Sequence, residues 1–174
     1  MLRPNNVVID DDSGRAQLVR LAEAGTSQGA HFWAQLSHTG RQVSSYINPA
    51  PLSCSDVEID VIRNAGFSFA KPKPMTEAQI AHTIDQFAFA AKEVKDAGFS
   101  GVSLHAAHGY LISQFLSPLS NRRTDRWGGL LENRARFLVE VIVEFELRPV
   151  VPAPRPRGAG WKSRDFRSLA VALA

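Results

Sequence analysis

Between residues 76 and 105 the chain writes out a helix, a stop and a strand in direct succession, and that order leaves few folds open. Thr76-x-x-Gln79 has the form of a capping box, in which a hydroxyl and an amide satisfy backbone N–H groups that a first helical turn leaves without partners. Ile80, Ile84, Phe87, Ala91 and Val94 then recur at alternating four- and three-residue steps, which puts them on one helical face. Gly98 tolerates the left-handed conformation of a helix stop. Directly after it, Gly101-Val102-Ser103-Leu104-His105 reads as a short buried strand.

The same order occurs earlier in the chain. Residues 13–27 place Leu18, Leu21 and Ala22 at helical spacing behind the acidic run Asp10-Asp11-Asp12, which favours a helix N-terminus. His31-Phe32-Trp33-Ala34-Gln35-Leu36, bounded by Gly29 and by Ser37-His38-Thr39-Gly40, suits a buried strand. Residues 37–74 are rich in Pro, Ser, Asn and Gly, with a short strand expected around residues 57–61, and a connection of that length is usually functional. Residues 109–116 and 130–146 both read as helical, the latter with Phe137, Val141 and Phe145 on one face. Helix and strand in alternation are the rhythm of a parallel α/β protein. No Gly-x-Gly-x-x-Gly turn follows either strand, which disfavours a doubly wound dinucleotide-binding sheet and leaves a (β/α) barrel as the expected architecture.

Composition closes off other classes. With 174 residues, 44% hydrophobic and 21% charged, the chain can bury a core and is not of disordered type. No apolar run approaches the roughly 18 to 20 residues that cross a bilayer, and the start has no apolar signal-peptide core, so a soluble cytoplasmic protein is expected. Cys54 is the single cysteine, which rules out an intrachain disulfide; between Ser53 and Ser55 it reads as a loop thiol. The net charge of +3 arises near the chain's end, where Arg148, Arg155, Arg157, Lys162, Arg164 and Arg167 face only Asp165. A basic tail on a near-neutral body is not a basic domain, so a nucleic-acid partner is disfavoured. Pro149, Pro152, Pro154 and Pro156 cannot continue a helix. The expected organisation is therefore a domain over residues 1–146 and a disordered Pro/Arg-rich tail over residues 147–174.

Chemistry is expected at the ends of the two strands. Alternate strand residues share a face, so His105 lies with Ser103, while Val102 and Leu104 point the other way. A polar residue at the C-terminal end of a barrel strand is where active sites of this architecture are built. His108 and Tyr110 follow closely, and two imidazoles with a phenol can bind a carbonyl oxygen and deliver a proton. Spacing alone leaves open that His105 is a hydrogen-bonded core histidine and Tyr110 an amphipathic core residue. A His-x-x-His metal pair is a third reading, but no carboxylate or cysteine lies nearby in sequence to complete it. Gln35 occupies the corresponding place on the first strand, where its amide offers a donor and an acceptor to the edge of a heterocycle or is satisfied by backbone.

Three stretches carry a resemblance. Phe32-Trp33-Ala34-Gln35-Leu36-Ser37-His38-Thr39-Gly40-Arg41 comes first, then His105-Ala106-Ala107-His108-Gly109-Tyr110-Leu111, then residues 114–134 with Ser117-Pro118-Leu119-Ser120-Asn121-Arg122-Arg123 and Asp125-Arg126-Trp127-Gly128-Gly129. In this order they resemble the Old Yellow Enzyme family of FMN-dependent ene-reductases and NADH:flavin oxidoreductases, over roughly residues 5–145. The resemblance implies a TIM (β/α)8 barrel with FMN at its mouth, reduced by NADH or NADPH, passing hydride to an activated alkene. It implies that Gln35 binds the flavin pyrimidine edge, that His105 and His108 grip the substrate carbonyl or nitro oxygen, and that Tyr110 protonates the α-carbon. Residues 120–129 take a mainly architectural role.

A complete barrel of this type needs about 250 residues. The resemblance covers a partial barrel, from after strand 2 to the helix after strand 4, without the family's other flavin-ring and phosphate contacts. The expected function is an FMN-dependent oxidoreductase of small activated alkenes. A non-catalytic barrel remnant stays open as the alternative, and so does a homo-oligomer or complementing chain that supplies the remaining strands.

Overall fold

The computed structural model describes residues 7–59, 68–147 and 170–172. Helix α1 (Arg15–Thr26) is followed by strand β1 (Trp33–Leu36), the two-residue strands β2 (Leu52–Ser53) and β3 (Lys73–Pro74), and the long helix α2 (Glu77–Asp96). Strand β4 (Gly101–His105), the short helix α3 (Leu111–Leu116), helix α4 (Leu131–Leu147) and strand β5 (Ala170–Ala172) complete the order. Strands β1, β4 and β5 form a parallel sheet with β4 in the centre, and β2 pairs with β3 in parallel beside it. This is an arc of a parallel (β/α) barrel, with no closed barrel among the described residues.

The predicted capping box is present at α2. Thr76 Oγ1 accepts from the Gln79 N–H at 3.2 Å, and the Gln79 amide oxygen accepts from the Thr76 N–H at 2.9 Å. Gly98 ends the helix at φ 98°. Ile80, Ile84, Phe87, Ala91 and Val94 are all buried, as their spacing predicts. They pack with Leu36, Val102 and Leu104, the outward side of the sheet, and with Phe137 and Val141 of α4. The Phe137 ring stacks on Phe115 at 4.5 Å and meets Phe87 edge-on at 6.4 Å, so three helices close on one aromatic cluster.

Several expectations are corrected. The strand expected around residues 57–61 is not formed: Val57, Glu58 and Ile59 are irregular, and residues 60 and 61 lie outside the described residues. Pairing occurs instead at Leu52–Ser53, where the Pro51 carbonyl accepts from the Lys73 N–H and that of Ser53 from the Met75 N–H. Strand β1 is buried on one face only: Leu36 is buried, whereas Trp33, 38% exposed, and Gln35 stand exposed on the other face, and among the described residues β1 is the edge of its sheet. In α1, Ala22 is buried while Leu21 lies half in solvent. Cys54 lies in the bend after β2, as a loop thiol, and is fully buried there. Of the tail expected over residues 147–174, Leu147 ends α4, Ala170–Ala172 form β5, and the rest lies outside the described residues.

Charge also locks α1 to α2. Glu93 sits buried on the sheet-side helix and takes a two-pronged bond from Arg15, with Nε at 2.8 Å and Nη2 at 2.5 Å. No helix among the described residues is long and apolar enough to cross a membrane.

Candidate functional site

Parallel pairing sets Gln35 beside Ser103 and Leu36 beside Leu104. Since side chains alternate, Trp33, Gln35, Ser103 and His105 share the face turned away from the helices. Trp33 lies across this face, close enough that a Cβ on Gly101 would meet its ring at 2.6 Å. The exposed Gln35 thus stands on the same face as His105, one strand away.

Beyond β4 the chain turns sharply. Ala106 and Ala107 are buried, then His108 takes φ 56° and Gly109 φ 72°. The left-handed region costs a non-glycine residue about 1 kcal/mol or more, so contacts around the turn must hold His108 there. The turn brings the predicted residues together. His108 Nδ1 lies 3.2 Å from His105 Nε2, the two imidazole centroids are 5.1 Å apart, and the Tyr110 ring lies 4.7 Å from that of His105. Tyr110 is the N-cap residue of α3, so the first turn of that helix carries the phenol.

The contacts that hold the turn involve two residues that motif reading did not single out as site residues. Gln42, in the loop after β1, donates from Nε2 to the His108 carbonyl oxygen at 2.7 Å. Gln114 of α3 is 1% exposed and donates from Nε2 to the carbonyls of Gly109 at 2.6 Å and Thr39 at 3.1 Å. Its Oε1 accepts from Ser53 Oγ at 2.8 Å and from the Arg41 N–H at 3.3 Å. A glutamine amid Leu111, Ile112 and Phe115 on a buried helix face is a signal in itself, because a buried amide must be bonded internally. Gln42 carried no comparable signal.

Glycine is required on both sides of this brace. A Cβ at Gly40, whose φ is 56°, would lie 2.1 Å from Gln114 Oε1, and one at Gly109 would lie 2.4 Å from Gln42 Nε2.

Burial holds the His105 imidazole below its ordinary pKa, and the neighbouring His108 adds to the effect. A charge on the His105 ring is thus disfavoured, and the ring acts as a neutral donor and acceptor. His38, just before the turn at Thr39–Gln42, is also lowered by burial; its Nδ1 accepts from the Gly40 N–H at 3.0 Å. Burial pushes the Cys54 thiol up, and its Sγ faces the carbonyls of Gln114 at 3.1 Å and Ser120 at 3.4 Å, which makes it a buried structural thiol.

The segment after α3 is tied inward. Arg123 donates to the carbonyls of Cys54 at 3.1 Å and Met75 at 2.7 Å and pairs with Asp125. Asn121 Nδ2 donates to the carbonyls of Phe115 and Trp127. Among the described residues, no group of three or more His, Cys, Asp or Glu side chains is placed to hold a metal ion.

Residues 2–148 match the NADH:flavin oxidoreductase / NADH oxidase family. The chain is 48% identical over 125 residues to the NADH-dependent flavin oxidoreductase nadA of Aspergillus parasiticus, covering 72% of this chain and 28% of that protein. It is 42% identical over 125 residues to 12-oxophytodienoate reductase 1 of Oryza sativa subsp. japonica, covering 70% of this chain and 33% of that one. The structure of morphinone reductase in complex with tetrahydroNAD superposes on 79% of this chain and 41% of its own, with a TM-score of 0.72 at 31% identity. The chain spans about a third or less of the length of the two enzymes from Aspergillus parasiticus and Oryza sativa, and 41% of the morphinone reductase chain.

Proposed function

The chain belongs to the NADH:flavin oxidoreductase / NADH oxidase family, and from that premise we propose that it carries the substrate-binding side of an FMN-dependent ene-reductase. In this reading NADH or NADPH is the reductant, a small activated alkene is the acceptor, and the protein works in the cytoplasm. The observation that carries the reading is the His105–His108 pair at 3.2 Å with Tyr110 against it, at the C-terminal end of β4 and on the face that bears Gln35.

The donor set fits the cofactor. Gln35 presents an exposed primary amide, whose donor and acceptor together match the edge of a flavin pyrimidine ring. When bound there, the flavin supplies hydride for the β-carbon of the alkene. The chain's own residues act on the other end of the double bond. His105 and His108 donate N–H groups to the carbonyl or nitro oxygen and stabilise the negative charge that builds on it. At rest their facing nitrogens share one hydrogen bond. Gripping one oxygen from both rings requires a proton on each facing nitrogen, so one ring changes tautomer as the oxygen replaces the mutual bond. The Tyr110 hydroxyl, packed against the His105 ring, holds the proton for the α-carbon.

A second reading has its own observation. Strand β1 is an edge, and the face bearing Trp33 and Gln35 is open among the described residues. A barrel remnant without flavin, or one that binds it only with a complementing chain, would have such a face. One measurement separates the two: a visible absorption spectrum of the purified chain after incubation with FMN, taken across a size-exclusion peak of known mass. Stoichiometric flavin absorbance supports the enzyme reading, and the mass tells whether a second chain is needed. A protein peak that takes up no FMN overturns it in favour of the remnant.

A further inference from the structure

The histidine pair depends on a turn that β4 does not itself hold. His108 stands in the left-handed region, and its carbonyl receives the Gln42 amide from a different loop at 2.7 Å. The neighbouring groups are fixed by other bonds: the Gly109 carbonyl by Gln114, the Tyr110 N–H by the Ala107 carbonyl at 3.2 Å, and the Leu111 N–H by the His38 carbonyl at 2.8 Å. Among the described residues, Gln42 is the donor on the carbonyl of His108 itself. Its own position is set by the Gln42 N–H donating to the Thr39 carbonyl at 3.1 Å, next to the left-handed Gly40. Gly109 leaves no room for a side chain between the two, since a Cβ there would displace the Gln42 amide.

We infer that Gln42 is a positioning residue for the histidine pair: its bond to the His108 carbonyl holds the left-handed turn and so keeps His108 Nδ1 against His105 Nε2. The loop after β1, which follows the strand bearing Gln35, thereby sets the geometry at the end of β4. The catalytic meaning of this rests on the function proposed above; the positioning itself does not.

The test reads the imidazoles directly, in the full chain without flavin or substrate. Protein labelled with 15N-histidine is compared in long-range imidazole spectra as wild type, Gln42→Met and Gln42→Lys. Methionine keeps the length and loses the donor, whereas lysine restores an N–H on a side chain of similar reach. The expected result is a slowly exchanging N–H shared by His105 and His108 in the wild type, lost in Gln42→Met and recovered in Gln42→Lys, with core methyl resonances unchanged throughout. Retention of the shared proton in Gln42→Met overturns the inference. Loss in both variants, or changes spreading to the core methyls, overturns it too, because the pair would then answer to packing and not to the bond. Failure of the chain to bind FMN would remove the proposed function and leave these spectra as they are, so the two readings fail separately.

Discussion

Replacing Gln114 with leucine should cost this chain a large part of its stability, although leucine is the more apolar residue and the site is buried. The side chain joins the loop after β1, strand β2 and the turn after β4 through four bonds. Not all four partners would be stranded equally. The Thr39 carbonyl also accepts from the Gln42 N–H, and the Arg41 bond is long at 3.3 Å, so both lose little. The Ser53 hydroxyl is fully buried, with only a weak contact to Cys54 Sγ at 3.8 Å left to it, and the Gly109 carbonyl keeps no other partner among the described residues. The stranded Ser53 hydroxyl at about 1–3 kcal/mol and the half-buried Gly109 carbonyl at about 1 kcal/mol, offset by roughly 1 kcal/mol for the added apolar burial, leave a net loss near 2 kcal/mol. With a urea m-value of about 2 kcal/mol/M, the unfolding midpoint should fall by about 1 M. The mechanism makes a second demand. Adding Ser53→Ala to Gln114→Leu removes the stranded hydroxyl and should recover about 1 kcal/mol, whereas Ser53→Ala alone should destabilise. A midpoint shift under about 0.3 M, or strictly additive effects of the two substitutions, would refute the hub as the source of the stability.

Other predictions follow from the same structure. Phe137→Ala removes a ring that is fully buried between Phe115 and Phe87 and should lower stability by about 3–5 kcal/mol in urea unfolding; a loss near 1 kcal/mol would mean that the cluster collapses around the gap. His38 and His105 are both lowered by burial, so the unfolded chain takes up protons before the folded one as pH falls. Stability should therefore be fully present above about pH 6.5 and decline below it, and His38→Asn, which keeps an acceptor for the Gly40 N–H, should flatten the decline. A urea midpoint that is constant down to about pH 5.5 would contradict this. In flavin-loaded protein, Tyr110→Phe should slow alkene reduction by about 100-fold or more while NAD(P)H still reduces the flavin at its normal rate; equal losses in the two half-reactions, measured by stopped-flow absorbance, would remove Tyr110 as the proton donor.

What could be read from the residues alone was what is encoded locally. The capping box at Thr76, the burial of Ile80 through Val94 and the strand ending in His105 each depend on neighbours within a few positions, and each is found where it was expected. Strand β1 differs because burial is decided by what lies against each face of a strand. Phe32, Trp33 and Ala34 look the same in sequence whether the second face is covered or open. Strands β2 and β3 were beyond reach for the opposite reason: two residues show no period, and the pairing joins residues separated by most of a long loop.

The candidate site divides along the same line. His105, His108, Tyr110 and Gln35 could be named as candidates because they stand at strand ends, but spacing alone left structural roles open, and their chemical roles came from the motifs that contain them. The residues that hold them in place contribute an amide to a backbone carbonyl, and a carbonyl leaves no mark in the sequence. Gln114 was detectable halfway, since its apolar neighbours on α3 imply that it is buried and bonded, without saying that Ser53 and Gly109 are its partners. Gln42 lies half exposed in a polar loop, where a glutamine implies nothing. Its role becomes visible only when the turn at His108 is seen to be left-handed. A backbone conformation that an imidazole-bearing residue adopts at a cost directs attention to whatever donor offsets it.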